Sequence, residues 1–377
     1  MKKKSKIGTS DYISVYLRNS ENGPSCYYRV RQYLDEINYT FQINNAFSDN
    51  EYYLNMKIRS GIRKKFIQAY LYIVACIRRT NSIMYDYFHK PKVIIVQREV
   101  FPRALPVFLF PLLKKILEDA YLIWDFDDDI FLSGEISQRE QCLLLEKANR
   151  IVATSDYLLD MVKQNTSANL LQMATTDGFV TKYNFDDFTK TRDLSYDSRI
   201  DIVWVGTDSN LHNVERITEL IEEFSQRINK EVRLIVVCNK PLDVNENEYT
   251  YKIININWSR KDAENAILCS HIGIMPLIDN QFAKGKGGFK LIQYMSAGLP
   301  VVASNVGFNS TVVDEQCGKL IDDECEWIEE LYKLATDRKY WISKSRMSKM
   351  KYEKQFKYEN NLEMWKKMLG ENVKCIS

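Results

Sequence analysis

The stretch Lys284–Ala303, KGKGGFKLIQYMSAGLPVVA, decides how this chain is read. Gly285, Gly287 and Gly288 allow close backbone approach and positive φ. From about Gly288, apolar residues recur at three-residue steps (Phe289, Ile292, Met295), which predicts a short helix. Gly298 and Pro300 stop it, and Val301–Ala303 reads as an interior strand. A glycine-rich loop entering a helix presents amides and the positive end of the helix dipole, which suits a phosphate. Lys284, Lys286 and Lys290 put ammonium groups around the same spot. Lys290 and Gln293, three apart, share a helix face, so one can hold a diphosphate while the other reaches a neighbouring hydroxyl. Solvated surface lysines are the plain alternative; three of them in one glycine loop favour phosphate contact.

Outward from that segment, strands alternate with helices. Asp11–Leu17 reads as a first strand, and a loop holding Asn22-Gly23-Pro24 leads into a helix around Tyr27–Ile37. Val93–Gln97 and Leu122–Phe126 are apolar runs of the kind found in buried parallel strands. Arg150–Thr154 follows as another strand. Thr181–Arg199 is polar and without period, and an interdomain linker is expected there. A second alternation runs through strands at Asp201–Gly206, Val232–Val237, Tyr251–Asn255 and His271–Pro276, with helices at Val214–Arg227 and Arg260–Cys269. The order predicts an α/β chain with two doubly wound, mainly parallel sheets, whose ligands bind beyond the carboxyl ends of strands.

Composition fits this reading. A chain of 377 residues exceeds the size of one hydrophobic core, roughly 250–300 residues. The net charge of +2, with opposite signs interspersed, argues against a nucleic-acid binder. Eight cysteines with no Cys-x-x-Cys pair point to a reducing, cytoplasmic setting. The basic N-terminus is interrupted by Asp11, unlike a secretion signal. The longest apolar runs, Ile67–Ile77 and Ala104–Leu113, fall short of the ~20 residues of a spanning helix. Lys57–Arg79 carries seven Lys/Arg and no acid among apolar residues. It is a candidate for peripheral contact with an anionic membrane, although its charges do not gather on one helix face.

The Lys284–Ala303 segment resembles the donor-binding element of the retaining glycosyltransferases of family 4, also called group 1, which have the GT-B fold of two Rossmann-like domains facing a cleft. Their usual form is a Glu, seven residues, a second Glu, then a small-residue run ending Gly-x-Pro-Val-Val. Here Gly285 and Gln293 stand at the two Glu positions. A bacterial branch from surface-polysaccharide gene clusters has the Gly-Lys-x-Gly-Phe-Lys-Leu-Ile-Gln-Tyr-Met form seen here. His271–Lys290, Val93–Arg103, Tyr121–Phe131 and the SCYYRVRQYL run near the N-terminus fit the same branch. The resemblance implies an acceptor-side domain over residues 1–190, a nucleotide-sugar domain over 191–350, and a helix in 351–377 returning to the first domain. It also implies transfer of a sugar from a nucleotide-diphosphate donor to a hydroxyl of a saccharide or lipid-linked saccharide. No metal or other cofactor is expected.

The candidate residues follow. Lys286 and Lys290 would stabilise the leaving diphosphate; Lys284, Gly287, Gly288, Phe289 and Gln293 complete the donor segment, with Gln293 at a ribose-binding position. Gly206 and Thr207, after the IVWV strand, would face the diphosphate. The Arg and Lys usual in that loop are absent, and the 284–290 lysines are expected to replace them. Asp125, Asp127, Asp128 and Asp129 form a dense acidic cluster at a strand end, read as an N-cap set, a metal motif or a sugar-binding group. The sugar reading is preferred, with Asp127 where relatives carry a His beside sugar and acceptor. Gly23, in the first loop, is a further donor-binding candidate, and Arg29 and Arg98 join Asp125 and Asp128 as acceptor-side candidates. His271 reads as structural and His212 as a weak candidate. Two rivals remain: a catalytically silent nucleotide-sugar-binding partner, and a nucleotide-sugar epimerase or hydrolase on the same fold.

Overall fold

The computed structural model describes residues 12–57, 61–183, 185–245 and 248–374. Asp11 and Ile58–Ser60, which carry parts of the expected first strand and basic run, lie outside the described residues. The chain forms two compact units. Unit 1 comprises Met1–Thr175 and Asn360–Ser377, and unit 2 is Thr176–Glu359. The first boundary thus falls before the expected one. Much of the polar stretch expected as a linker is instead the helix Phe185–Ser195 inside unit 2. Its Arg192, polar by sequence, is buried and donates to the Ala297 carbonyl at 2.9 Å.

Unit 1 holds a six-stranded parallel sheet in the order β2-β1-β3-β4-β5-β6. The strands are β1 (Tyr12–Leu17), β2 (Thr40–Asn45), β3 (Val93–Gln97), β4 (Tyr121–Phe126), β5 (Arg150–Ala153) and β6 (Asn169–Gln172). Every residue of β3 is buried, as its β-branched run requires. The order reverses between β1 and β3. The long helix Ile62–His89 is pinned to β1 by Asp86, which accepts from the hydroxyls of Tyr12, Ser14 and Tyr16 at 2.6–2.8 Å. The last helix, Tyr358–Lys374, belongs to unit 1 from Asn360 onward. There, buried Trp365 donates to the Arg29 carbonyl at 3.0 Å, and Asn361 donates to the Ala174 carbonyl at 2.7 Å. This helix starts several residues after position 351, where the expected segment begins.

Unit 2 repeats the architecture with the order β12-β11-β10-β7-β8-β9, again all parallel. Its strands are β7 (Arg199–Val205), β8 (Glu231–Cys238), β9 (Lys252–Asn257), β10 (Ile272–Met275), β11 (Val301–Ser304) and β12 (Gly318–Ile321). The order reverses between β7 and β10. In an open parallel sheet that reversal leaves a crevice at the carboxyl ends of the two strands, where ligands bind. A core of Ile202, Trp204, Ile274, Val302, Leu331 and Trp341 fills the layer between this sheet and its helices.

Candidate functional site

In unit 2 the decisive segment lies beside the β7/β10 reversal. The helix runs Phe289–Ser296 and is followed by Gly298 at φ 69° and then β11. It is anchored by Tyr294, whose buried hydroxyl accepts from the Val205 amide at 2.9 Å at the end of β7. Gly273 in β10 makes room for that ring, because a Cβ there would stand 2.4 Å from it. Gly288 enters the helix at φ 63°, as a left-handed glycine should. The same expectation fails for the other two loop glycines. Gly285 is right-handed at φ −79°, and Gly287 is not among the positive-φ residues. A short turn, Gln281–Lys284, explains this: Gly285 and Lys286 use their amides on the Phe282 and Ala283 carbonyls at 3.2 and 3.0 Å. The amides suited to phosphate therefore narrow to Gly287, Gly288 and the first turn that begins with half-buried Phe289.

Gly206 ends β7 directly against this helix. A Cβ on Gly206 would stand 2.5 Å from Cη2 of Trp204 and 3.0 Å from Cε of Lys290. Lys290 Nζ lies 5.5 Å from the centre of the Trp204 ring, within cation–π range. Loop, tryptophan and lysine thus form one packed corner. Thr207 is exposed next to it, and its hydroxyl accepts from Asn210 at 2.9 Å. Lys286 lies 4.2 Å over the Phe282 ring, and Lys284 is exposed and 3.7 Å from Asp279.

Two residues at this corner escaped the sequence reading. Lys240 follows β8, which pairs with β7, and forms an ion pair with Asp208 of the Gly206 loop. Burial works against the Asp208 carboxylate, but Lys240 outweighs it and lowers its pKa. A cation therefore does stand at the loop that lacks its own Arg and Lys. Its signal was legible: a lysine just past an apolar strand that neighbours β7. The second is Asp177. Gln293, expected to point at a ligand, is buried and donates its amide to Asp177 Oδ2 at 2.8 Å. Burial raises Asp177 to about 6 despite hydrogen bonds from Gln293 and the Phe179 amide. No local pattern marks Asp177 in the sequence. The amide nitrogen of Gln293 is thus committed inward.

His271 is fully buried and structural. Its Nδ1 accepts from the Asp201 amide at 3.0 Å, its Nε2 lies 3.0 Å from the Arg192 carbonyl, and burial lowers its pKa to about 4. His212 is exposed on the helix Leu211–Glu215.

In unit 1 the sheet reversal lies between β1 and β3, and the acidic cluster comes to it from β4. Its four carboxylates take separate partners. Asp125 is fully buried with Arg29, 2.6 Å away, and Arg29 also reaches Thr154, Thr175 and the Met173 carbonyl. Both groups had been expected on the acceptor side. The structure corrects this: burial raises the Asp125 pKa although Arg29 pulls it down, and the pair is an internal brace. Asp129 caps a turn through the amides of Phe131 and Leu132. Asp127 and Asp128 converge on Arg98 instead. Its guanidinium donates to Asp127 at 2.9 Å, Asp128 at 2.6 Å, Glu135 at 2.9 Å and Ser25 Oγ at 2.9 Å. Ser25 in turn donates to Asp127 at 2.5 Å. Arg98 holds φ 64°, an uncommon conformation for a residue with a side chain, fixed by its amide bond to the Asp125 carbonyl at 2.7 Å. Burial alone would raise Glu135, but Arg98 and Arg18 outweigh it and hold it at about 2.

Gly23 lies in the turn after β1. Its amide is bonded to the Asn19 carbonyl at 3.1 Å, and a Cβ there would meet that oxygen at 2.6 Å. It shapes the loop and does not offer that amide to a donor. Among the described residues, no group of three or more His, Cys, Asp or Glu is arranged to hold a metal ion.

Two parallel Rossmann-like sheets of this order define the GT-B class of α/β proteins. Residues 199–337 match the family described as Glycosyl transferases group 1. Solved structures of the same fold cover nearly all of it. A sucrose-phosphate synthase from Thermosynechococcus elongatus aligns over 97% of this chain and 100% of its own, with a TM-score of 0.64 and 13% identity. Anabaena HepE, in complex with UDP and glucose, aligns over 96% and 99%, with a TM-score of 0.61 and 11% identity. A glycosyltransferase from Rickettsia africae aligns over 97% and 99%, with a TM-score of 0.59 and 12% identity. No curated protein matches the chain in sequence.

Proposed function

We propose that the protein transfers a sugar from a nucleoside-diphosphate sugar to a hydroxyl of a saccharide acceptor, with retention at the anomeric carbon. The observation that carries this is the corner of unit 2 where Gly206, Trp204 and Lys290 pack at the sheet reversal. A glycine approaches closely there, a helix N-terminus is presented, and a lysine is held against an aromatic face. Such a corner fits a diphosphate. That Anabaena HepE, a fold neighbour, is recorded with UDP-glucose supports this ligand class.

In the proposed reaction the bond from the anomeric carbon to the diphosphate oxygen breaks. The acceptor oxygen bonds to the same face, and its proton passes to the departing diphosphate. No strong protein base is required, so the chain acts by positioning and by stabilising negative charge on the leaving group. Lys290 and Lys286 supply that charge. The carbonyl of Gln293, its amide nitrogen held by Asp177, accepts from a donor hydroxyl, which we take as the ribose. In unit 1, Asp127 and Asp128, oriented by Arg98, serve a sugar or acceptor hydroxyl. The resemblance to surface-polysaccharide transferases supports a growing, lipid-linked saccharide as the acceptor.

The test begins with a thermal-shift panel of nucleoside diphosphates and their sugars; a ligand at ~100 times its dissociation constant stabilises by roughly 2.7 kcal/mol. With the tightest one, Lys290→Ala should lose a charge-assisted contact of ~1.5–3 kcal/mol in calorimetry. Unchanged affinity would overturn the assignment. The absence of carboxylates at Gly285 and Gln293 favours one second reading, a donor-binding partner without turnover. Tight donor binding with no transfer to any acceptor would support it.

A further inference from the structure

The Ile62–His89 helix is built with two working faces. Leu71, Ala75, Arg79, Ile83 and Asp86 are buried against the rest of unit 1. On the opposite side run Ile62, Phe66, Tyr70, Ile73, Ile77 and Phe88, each between 53% and 71% exposed. Their spacing of four, four, three, four and eleven residues follows the helical repeat, so they make one straight ridge. At ~1.5 Å per residue the helix is about 42 Å long. Tyr72 bonds to the Ala104 carbonyl at 3.0 Å, and in the loop that follows Val107 and Phe108 are 69% and 79% exposed. Soluble surfaces rarely leave so long an apolar line uncovered.

The charges indicate what covers it. From Ile62 to Tyr85 there is no Asp or Glu. Arg63 and Lys65 are exposed beside the N-terminal end of the ridge. Two other basic residues of this run behave differently. Arg78 pairs with Glu51, and Arg79 is buried, donating to the carbonyls of Val100 and Leu17. The first acid after the ridge begins, Asp86, is itself buried. A second copy of this chain would bring like charges, Arg63 and Lys65, against a helix run, Ile62–Tyr85, that offers them no carboxylate. A surface of anionic headgroups over an apolar interior matches both the charge and the ridge.

We propose that this face docks on a bilayer bearing anionic lipids, with the helix lying in the plane of the interface. The apolar ridge enters the headgroup boundary, and Arg63 and Lys65 meet lipid phosphates. Among the described residues no helix is long and apolar enough to cross a membrane, so the helix lies on the bilayer and does not span it. The surface belongs to unit 1 alone.

The test is flotation of the full chain with vesicles of phosphatidylcholine, alone or mixed with phosphatidylglycerol. Binding should be at least about tenfold tighter to the mixed vesicles. Ile73→Asp with Ile77→Asp should abolish it while leaving the thermal midpoint and nucleotide binding unchanged, because both side chains are already exposed. The proposal is overturned if the native chain ignores both vesicles, or if the double variant binds as well as the native chain. It is also overturned if light scattering shows a dimer that the same double variant dissolves, since the face would then belong to a second copy. Binding is read without any donor, so it stands or falls separately from the transferase chemistry.

Discussion

Gly206→Ala is the most informative single change in unit 2. The added methyl would stand 2.5 and 2.6 Å from two carbons of the Trp204 ring and 3.0 Å from Lys290 Cε. Contacts that short require movement. Trp204 is 1% exposed in the middle of the unit 2 core, so its ring cannot yield without disturbing its neighbours. The loop and Lys290 must move instead. Overpacking of this kind costs ~1–3 kcal/mol, which lowers the melting midpoint of a unit this size by roughly 2–10 °C. The displaced lysine should also weaken nucleoside-diphosphate binding about tenfold, ~1.4 kcal/mol. Differential scanning calorimetry and titration calorimetry read the two effects. A double variant with Lys290→Ala checks the route: if the methyl acts through Lys290, the double variant should lose less affinity than the two single losses added together. An unchanged midpoint together with unchanged affinity would refute the packed-corner reasoning.

Further expectations follow from other sites. Asp177 titrates at about 6 when folded against an ordinary 3.8, so the stability it contributes is complete below about pH 4 and lost as pH rises through about 6. At ~1.4 kcal/mol per unit that is about 3 kcal/mol, and Asp177→Asn should lack this part of the pH dependence; parallel profiles for variant and native chain would count against it. Arg98→Ala strands Asp127, Asp128 and Glu135 and should destabilise unit 1 by ~3–5 kcal/mol in urea, with only partial recovery in Arg98→Lys because lysine lacks the fork. Asp127→Asn should lower turnover with little change in nucleotide affinity, and activity should survive EDTA; a strict need for manganese or magnesium would refute the hydroxyl role. Gly370→Ala, in a helix where the new methyl meets only Tyr39 Oη at 3.9 Å, should stabilise by ~0.4–1 kcal/mol.

Most of the strands legible in the sequence are buried on both faces. β3, β4, β7, β8 and β10 carry continuous apolar runs, and the structure places them within a residue or two of their expected bounds. The three strands that went unread, β2, β6 and β12, are all sheet edges. Each is short or polar: TFQINN, NLLQ and GKLI. An edge strand needs no continuous apolar run; the fourth edge, β9, was read because KIININ keeps three isoleucines. The donor helix and its glycine stop were legible because every signal there is local. The long-range polar contacts were not. Arg29 meets Asp125 across 96 residues, and Gln293 meets Asp177 across 116. Residues that appeared poised for a ligand in one dimension are claimed by partners that only folding supplies. Arg98 kept its place at a strand end but emerged as an organiser of carboxylates. The basic run resolved into a buried arginine, a paired one, and a flank beside an apolar ridge that the charge pattern had hidden.

The closing helix of unit 1 bears on how the chain is made. Unit 1 draws on both ends of the sequence, while unit 2 is one uninterrupted stretch. During synthesis, residues 1–175 leave the ribosome without Trp365 and Asn361, whose bonds to Arg29 and Ala174 complete their packing. At ~5–20 residues per second, the stretch in between takes roughly ten to forty seconds to translate. For that time the first unit waits with an apolar seam open, while the second can reach its native state as it emerges. Removing residues 360–374 would therefore damage the unit that was translated first.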